Sequence, residues 1–247
     1  MTHYALIGHP LGHSLSPQIH RALLAAAHLE GDYRLLDIAP EDLANRLPEL
    51  QTLRGFNVTI PHKQAVLSAM AELDEKAALF GAVNTVAVRD GRLYGYNTDC
   101  YGFLRSLSAA GIPLAGRVLV LGTGGVARMF GFEAVLAGAA VTLAARTPSK
   151  GCALAAEIAE KCGRTVTVTD FNSVTGDWDL IVNGTPVGMF PDNGSAPVDL
   201  TAFQPREQVC CQGVLEPEAN GVQEKITEGE TYQLSAVQEK PFTFSDQ

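Results

Sequence analysis

The chain has 247 residues, 18 of them lysine or arginine against 27 aspartate or glutamate, for a formal net charge of −9. That balance is the wrong sign for wrapping a phosphate backbone, so no nucleic-acid partner is expected. Hydrophobic residues make up 46%, enough for a large core in one or two domains, yet no apolar run approaches the roughly 18 residues of a membrane span.

The opening Met1–Gly8 has no basic segment and no long apolar run, so it reads as a first strand rather than a signal peptide. Five cysteines (Cys100, Cys152, Cys162, Cys210 and Cys211) without C-x-x-C spacing argue against a disulfide framework or zinc ribbon. The six histidines lie between His3 and His62 without an H-E-x-x-H pattern. No metal is therefore expected, and a cytoplasmic location is.

In chain order, Tyr4–Ile7 reads as a strand ended by Gly8, and Ser16-Pro17 as the N-cap and first residue of a helix through Ala27. Tyr33–Ile38 reads as a strand, Glu41–Leu50 as a helix and Gly55–Ile60 as a third strand. Lys63–Ala71 and Glu72–Phe80 read as helices. Asn84–Arg89 and Arg92–Tyr96 flank Asp90-Gly91, a strong hairpin signal. Asp99–Ala110 is a helix stopped by Gly111.

A fresh alternation then begins: strand Arg117–Leu121, a glycine loop, a helix to about Ala137, strand Ala140–Ala144, helix Ser149–Lys161, and strands Thr165–Val168 and Asp179–Asn183. Strands alternating with helices predict an α/β fold with parallel sheets. The change near residue 100 divides an N-terminal α/β unit (1–100) from a second unit (101–214). The tail differs: Arg206–Gln247 carries eight acidic and three basic residues, with sparse, weakly periodic apolar positions. It is set apart as a C-terminal segment, 215–247, part of which is expected to join the first unit.

Gly122-Thr123-Gly124-Gly125-Val126-Ala127 satisfies G-x-G-x-x-[GA] between a strand and a helix. The glycines permit a tight turn and close approach of a pyrophosphate, and the helix N-terminus offers free N–H groups to the anion. The next strand ends not in a carboxylate but in Ala145-Arg146-Thr147-Pro148-Ser149-Lys150. Arg146 and Lys150 suit a 2′-phosphate that a carboxylate would repel, so NADP is the expected cofactor.

Polar and ionisable residues gather in loops of the first unit: His13-Ser14-Leu15-Ser16, Asn57–Lys63, Gly81–Thr85 and Asn97-Thr98-Asp99. Each has an ordinary structural use, with Ser16 and Asp99 as caps, Asn84 in a turn and Lys63 as a surface cation. Together they suit a small polyhydroxylated acid, with Lys63 and Asp99 as a proton donor held by a carboxylate. Reduction of a ketone needs such a donor, because charge develops on oxygen as carbon accepts hydride.

These motifs, in this order, resemble the shikimate dehydrogenase family: His13-Ser-Leu-Ser-Pro17 with His20, Gly55–Lys63, Gly81–Thr85, Asn97–Asp99, Gly122–Ala127, Ala145–Thr147 and Asn183–Met189. The resemblance runs from about Tyr4 to Leu200. It implies a substrate domain and a Rossmann-like NADP domain around a cleft, and NADPH-dependent reduction of 3-dehydroshikimate to shikimate in aromatic amino-acid biosynthesis. By position it implies Lys63 and Asp99 as the catalytic pair. Ser14, Ser16, Thr59, Lys63, Asn84, Asp99 and Gln238 would bind substrate. Gly122, Thr123, Gly124, Gly125 and Val126 would hold the pyrophosphate, and Ala145, Arg146, Thr147 and Lys150 the adenosine phosphate. Glu75 and Met189 would lie near the cofactor. The family does not fix the assembly, monomer or homodimer.

Departures from the family pattern are Ala145 in place of an asparagine, Cys100 in place of a glycine, and the tail. Leu215 falls where a substrate-binding tyrosine belongs, and Pro241 follows soon after Gln238. The tail leaves two alternatives: a catalytically impaired NADP-binding homologue, or a dehydrogenase of quinate or an aminated analogue.

Overall fold

Short apolar runs stopped by glycine or proline become strands in a computed structural model that describes residues 2–12, 14–188, 195–199, 207–210 and 232–233. The strands form two six-stranded sheets. The first contains β1 (Thr2–Gly8), β2 (Gly31–Asp37), β3 (Gly55–Val58), β4 (Glu72–Leu73), β5 (Thr85–Arg89) and β6 (Arg92–Tyr96), in the order β2-β1-β3-β5-β6-β4. β1 runs parallel to β2 and β3, whereas β5 is antiparallel to β3 and β6. Asp90 and Gly91 both take positive φ, 51° and 71°, as a two-residue hairpin turn of matching twist requires. Arg89 accordingly pairs with Arg92.

The helical reading of 63–80 is corrected. Residues 65–69 form a 3-10 turn, Glu72–Leu73 is the edge strand β4 alongside β6, and the helix α3 covers only Glu75–Phe80. Asp74 is the divider: its carboxylate accepts from the Ala77 N–H at 2.7 Å and caps α3. Similarly, 41–50 divides into a 3-10 turn at Pro40–Asp42 and α2 (Leu43–Leu50). α4 (Asp99–Ala110) closes on Gly111 in the left-handed conformation.

The second sheet comprises β7 (Arg117–Leu121), β8 (Ala140–Ala144), β9 (Thr167–Thr169), β10 (Leu180–Asn183), β11 (Glu207–Cys210) and β12 (Tyr232–Gln233). All its pairings are parallel, in the order β12-β11-β10-β7-β8-β9. This is the doubly wound order in which strand sequence reverses between β7 and β10, the place where such sheets take nucleotides. α5 (Gly125–Leu136) and α6 (Pro148–Cys162) are the crossover helices. No helix among the described residues is long and apolar enough to cross a membrane.

Leu50, Phe56, Val58, Val86 and Leu93 fill the first core. Val118, Val120, Phe130, Phe132 and Leu143 fill the second, which also takes in Phe80 and Ala82 from the end of α3 and Phe103 and Leu107 from α4. The two lobes therefore share packing at α3, whose Ala77 lies in the first core and Phe80 in the second. By contrast, α1 (Ser16–Ala26) buries none of its side chains fully.

Candidate active site

The loop after β3 carries Lys63 beside the start of β5, where the Lys63 carbonyl accepts from the Val83 N–H at 2.7 Å. Its Nζ donates to Asp99 Oδ2 at 2.6 Å. Asn84 Nδ2 donates to the other oxygen, Oδ1, at 2.6 Å. With both oxygens engaged the carboxylate is held against rotation. The two side chains are 11% and 29% exposed, sheltered enough to act on each other yet open to a ligand.

The capping roles read for Ser16 and Asp99 are corrected. Thr98 is the cap of α4 and Asp99 its first residue, where the helix dipole favours a carboxylate. Leu15 caps α1 and Ser16 begins it. Asn84 is no turn residue but a buried clamp, 9% exposed. Its Oδ1 accepts from the Thr98 N–H at 2.8 Å.

Polar contacts continue away from Lys63. Asn57 Nδ2 donates to Thr85 Oγ1 at 3.1 Å, and Thr85 Oγ1 lies 3.3 Å from Thr98 Oγ1. Tyr33 donates its hydroxyl to Asn57 Oδ1 at 2.8 Å. Ser14 donates its hydroxyl to Ser16 Oγ at 3.1 Å. Thr59 packs its methyl where a Gly8 Cβ would lie, 2.4 Å away, and its hydroxyl has no partner among the described residues. The loops holding Asn57, Thr85 and Thr98 stand out in the sequence, but nothing there gives those three residues a role. Tyr33 was missed altogether, because it carries no motif and reaches the site only through the β1–β2 pairing.

The glycine loop meets this cluster directly. A Cβ on Gly125 would stand 3.2 Å from Lys63 Cβ. Gly122 has φ +105°, and its added Cβ would meet Thr185 Cγ2 at 3.0 Å, so the turn after β7 packs on the loop after β10. Gly124 caps α5 without a side-chain hydrogen bond, and a Cβ there would meet nothing within 4 Å. Open space before an uncapped helix N-terminus fits a pyrophosphate. Thr123 and Val126 flank it, both half-buried.

At the next crossover Arg146, Thr147 and Lys150 are exposed, and Thr147 caps α6 without using its side chain. Neither cation is ion-paired among the described residues. These groups fit the phosphate of NADP. Ala145 is buried instead, its Cβ 3.1 Å from where a Gly151 Cβ would lie. Glu75 is exposed in the first turn of α3. Met189, Leu215 and Gln238 lie outside the described residues.

The sequence profile of the shikimate dehydrogenase substrate binding domain matches residues 6–86. The chain is 40% identical over 202 residues to the NADP(+) shikimate dehydrogenase of Shouchella clausii, covering 80% of this chain and 74% of that one. The chain belongs to the shikimate dehydrogenase family. The enzyme of that name from Thermus thermophilus is 41% identical over 81% of this chain and 78% of its own. Its crystal structure in complex with NADP(H) and shikimate superposes with a TM-score of 0.74 at 39% identity, covering 85% of this chain and 77% of that one. A 5-ketofructose reductase of Gluconobacter is also similar, with TM-score 0.69 and 33% identity, over 85% of this chain and 77% of that one. Family members are oxidoreductases, and the doubly wound second sheet is the architecture these relatives share.

Proposed function

We propose that this chain interconverts 3-dehydroshikimate and shikimate with NADP, with Lys63 and Asp99 as its catalytic pair. One observation carries the reading: the sheltered Lys63–Asp99 ion pair lies against Gly125 of the dinucleotide loop. When bound, NADPH supplies the hydride for the ring carbonyl. Lys63 Nζ then offers a proton to the oxygen as charge develops there, and Asp99 holds the ammonium in place. In the reverse direction the same pair accepts the hydroxyl proton. Ser14, Ser16, Thr59 and Asn84 orient the substrate's hydroxyls and carboxylate. Gly122–Val126 hold the pyrophosphate, and Arg146, Thr147 and Lys150 the 2′-phosphate.

On this reading residues 1–100 bind substrate, residues 101–214 bind NADP, and the protein works in the cytoplasm on small molecules alone. The relative named as a 5-ketofructose reductase favours one competing substrate class, a keto sugar in place of a ring keto acid. The deciding experiment follows NADPH formation from shikimate and NADP, beside quinate, NAD, and NADPH-dependent reduction of 5-ketofructose. Shikimate with NADP is expected to be the most active pair. Preference for quinate or 5-ketofructose would overturn the substrate, and preference for NAD would overturn the role of Arg146. A folded protein inactive on all of them would leave the binding-only alternative.

A further inference from the structure

The serines at the head of α1 and the Lys63–Asp99 pair sit in different parts of the first lobe, and one side chain connects them. Tyr33, on the edge strand β2, donates its hydroxyl to Asn57 Oδ1 at 2.8 Å. From Asn57 the contacts run on through Thr85 and Thr98 to Asn84 and Asp99. Tyr33 also reaches back to the serine loop, through the ring of His20 that stacks on its own.

The ring of Tyr33 has a second use. His20 stacks on it with centroids 3.8 Å apart and planes 15° from parallel, and His20 Nδ1 lies 2.9 Å from the Ser16 carbonyl. That carbonyl can only accept, so Nδ1 carries the proton. The contact matters because α1 buries no side chain fully and rests on β2 through half-buried side chains such as Leu24. Burial pushes the Tyr33 phenol well above its ordinary range, against the opposing effect of Ser16. It therefore remains a neutral donor throughout the range in which an enzyme works.

We propose that Tyr33 is a positioning residue for substrate: its hydroxyl holds Asn57 and its ring holds His20 and, through it, the Ser16 backbone, so that the serine end of the pocket is kept at a fixed distance from Lys63. This rests on the functional reading above and adds to it a residue that touches neither substrate nor cofactor. Losing the hydroxyl uncouples the serine loop from Asn57 without disturbing the Lys63–Asp99 pair or the glycine loop. The deficit should then fall on substrate binding alone.

The test compares wild type, Tyr33→Phe, which keeps the ring stack, and Tyr33→Leu, which removes stack and hydroxyl. Expected for Y33F is a rise in KM for shikimate of about three- to tenfold, the scale of one hydrogen bond. Its kcat should change less than about twofold, with KM for NADP and the melting temperature near wild type. Y33L should show the same KM defect with a lower melting temperature. A shikimate KM in Y33F equal to wild type, or a parallel rise in KM for NADP, would overturn the assignment while the functional reading stands. Wild-type protein that turns over no shikimate would overturn both.

Discussion

Lys63 is fixed at three points: its carbonyl by Val83, its ammonium by Asp99, and its stem against Gly125. Replacing it with alanine removes the proton donor and leaves the helix N-terminus of α5 intact. Turnover of shikimate by K63A is expected to fall by about a thousandfold, with the dissociation constant for NADP within about threefold of wild type by calorimetry. Unchanged turnover would remove Lys63 from the chemistry. Arg146 is exposed and unpaired among the described residues, so its charge is available to a phosphate. Arg146→Asp should raise KM for NADP by at least about tenfold and leave KM for NAD unchanged or lower, read in parallel steady-state assays. Lys63, Asn84 and Asp99 were legible in the sequence because each stands in a short motif at a strand end. Tyr33 and its stacking on His20 were not, since 13 residues separate the two and only the folded chain brings the rings together, although His20 itself stands in the first motif.

Among the elements, α3 is short yet carries the contacts between the lobes. Arg128 of α5 donates to the Phe80 carbonyl at 2.7 Å and to both oxygens of Glu157 on α6. Lys161 donates to the Ala78 and Leu79 carbonyls and to Glu157. Lys76 pairs with Glu133, which is only 6% exposed. Gly81, in the left-handed conformation at the end of α3, makes room for Arg128, whose Nη2 lies 2.9 Å from where a Cβ would be. Arg128→Ala is expected to cost about 2 kcal/mol in urea unfolding, the scale of hydrogen bonds to a charged group.

The same cluster predicts a pH dependence. Burial alone would raise the Glu157 carboxyl, but hydrogen bonds and charge from Arg128 and Lys161 outweigh it and hold the group below its ordinary value. A carboxyl lowered in the folded state adds stability above its unfolded pKa, and that contribution disappears as pH falls through the folded value. Glu157→Gln should therefore melt below wild type at neutral pH. The gap should close as pH drops below the unfolded value of about 4.3. A gap that persists to acid pH would show that the charge is not its source. The α4, β7 and β8 boundaries were read correctly because glycine and periodicity mark them locally. The 63–80 stretch was misread because β4 forms only by pairing with β6, a contact its own sequence does not announce.

At the scale of the whole molecule, the sequence pattern foretold an α/β chain with parallel strands, and the strands form two sheets, β1–β6 and β7–β12. The antiparallel β3–β5 pairing was not visible, as the Asp90-Gly91 turn announces only the β5–β6 hairpin. The lobes come within van der Waals reach where Gly125 meets Lys63. Gly125→Val should wedge them apart at the point of chemistry. The expected result is a fall of about tenfold or more in kcat/KM for NADP with secondary structure retained by circular dichroism. A wild-type rate would show that the loop and lysine separate freely during turnover.

Among the described residues, side-chain hydrogen bonds from the second lobe end on α3, Lys63 and Asn84 hold Asp99 at the head of α4, and the chain passes from β6 into α4 beside them. A body fastened along one short helix and at the head of another still turns about the line joining them. The joint resists sliding and pulling but offers little torque against rotation. The ångströms between Lys63 and Gly125 are thus set less by any bond across the cleft than by the angle at which α3 sits in its socket.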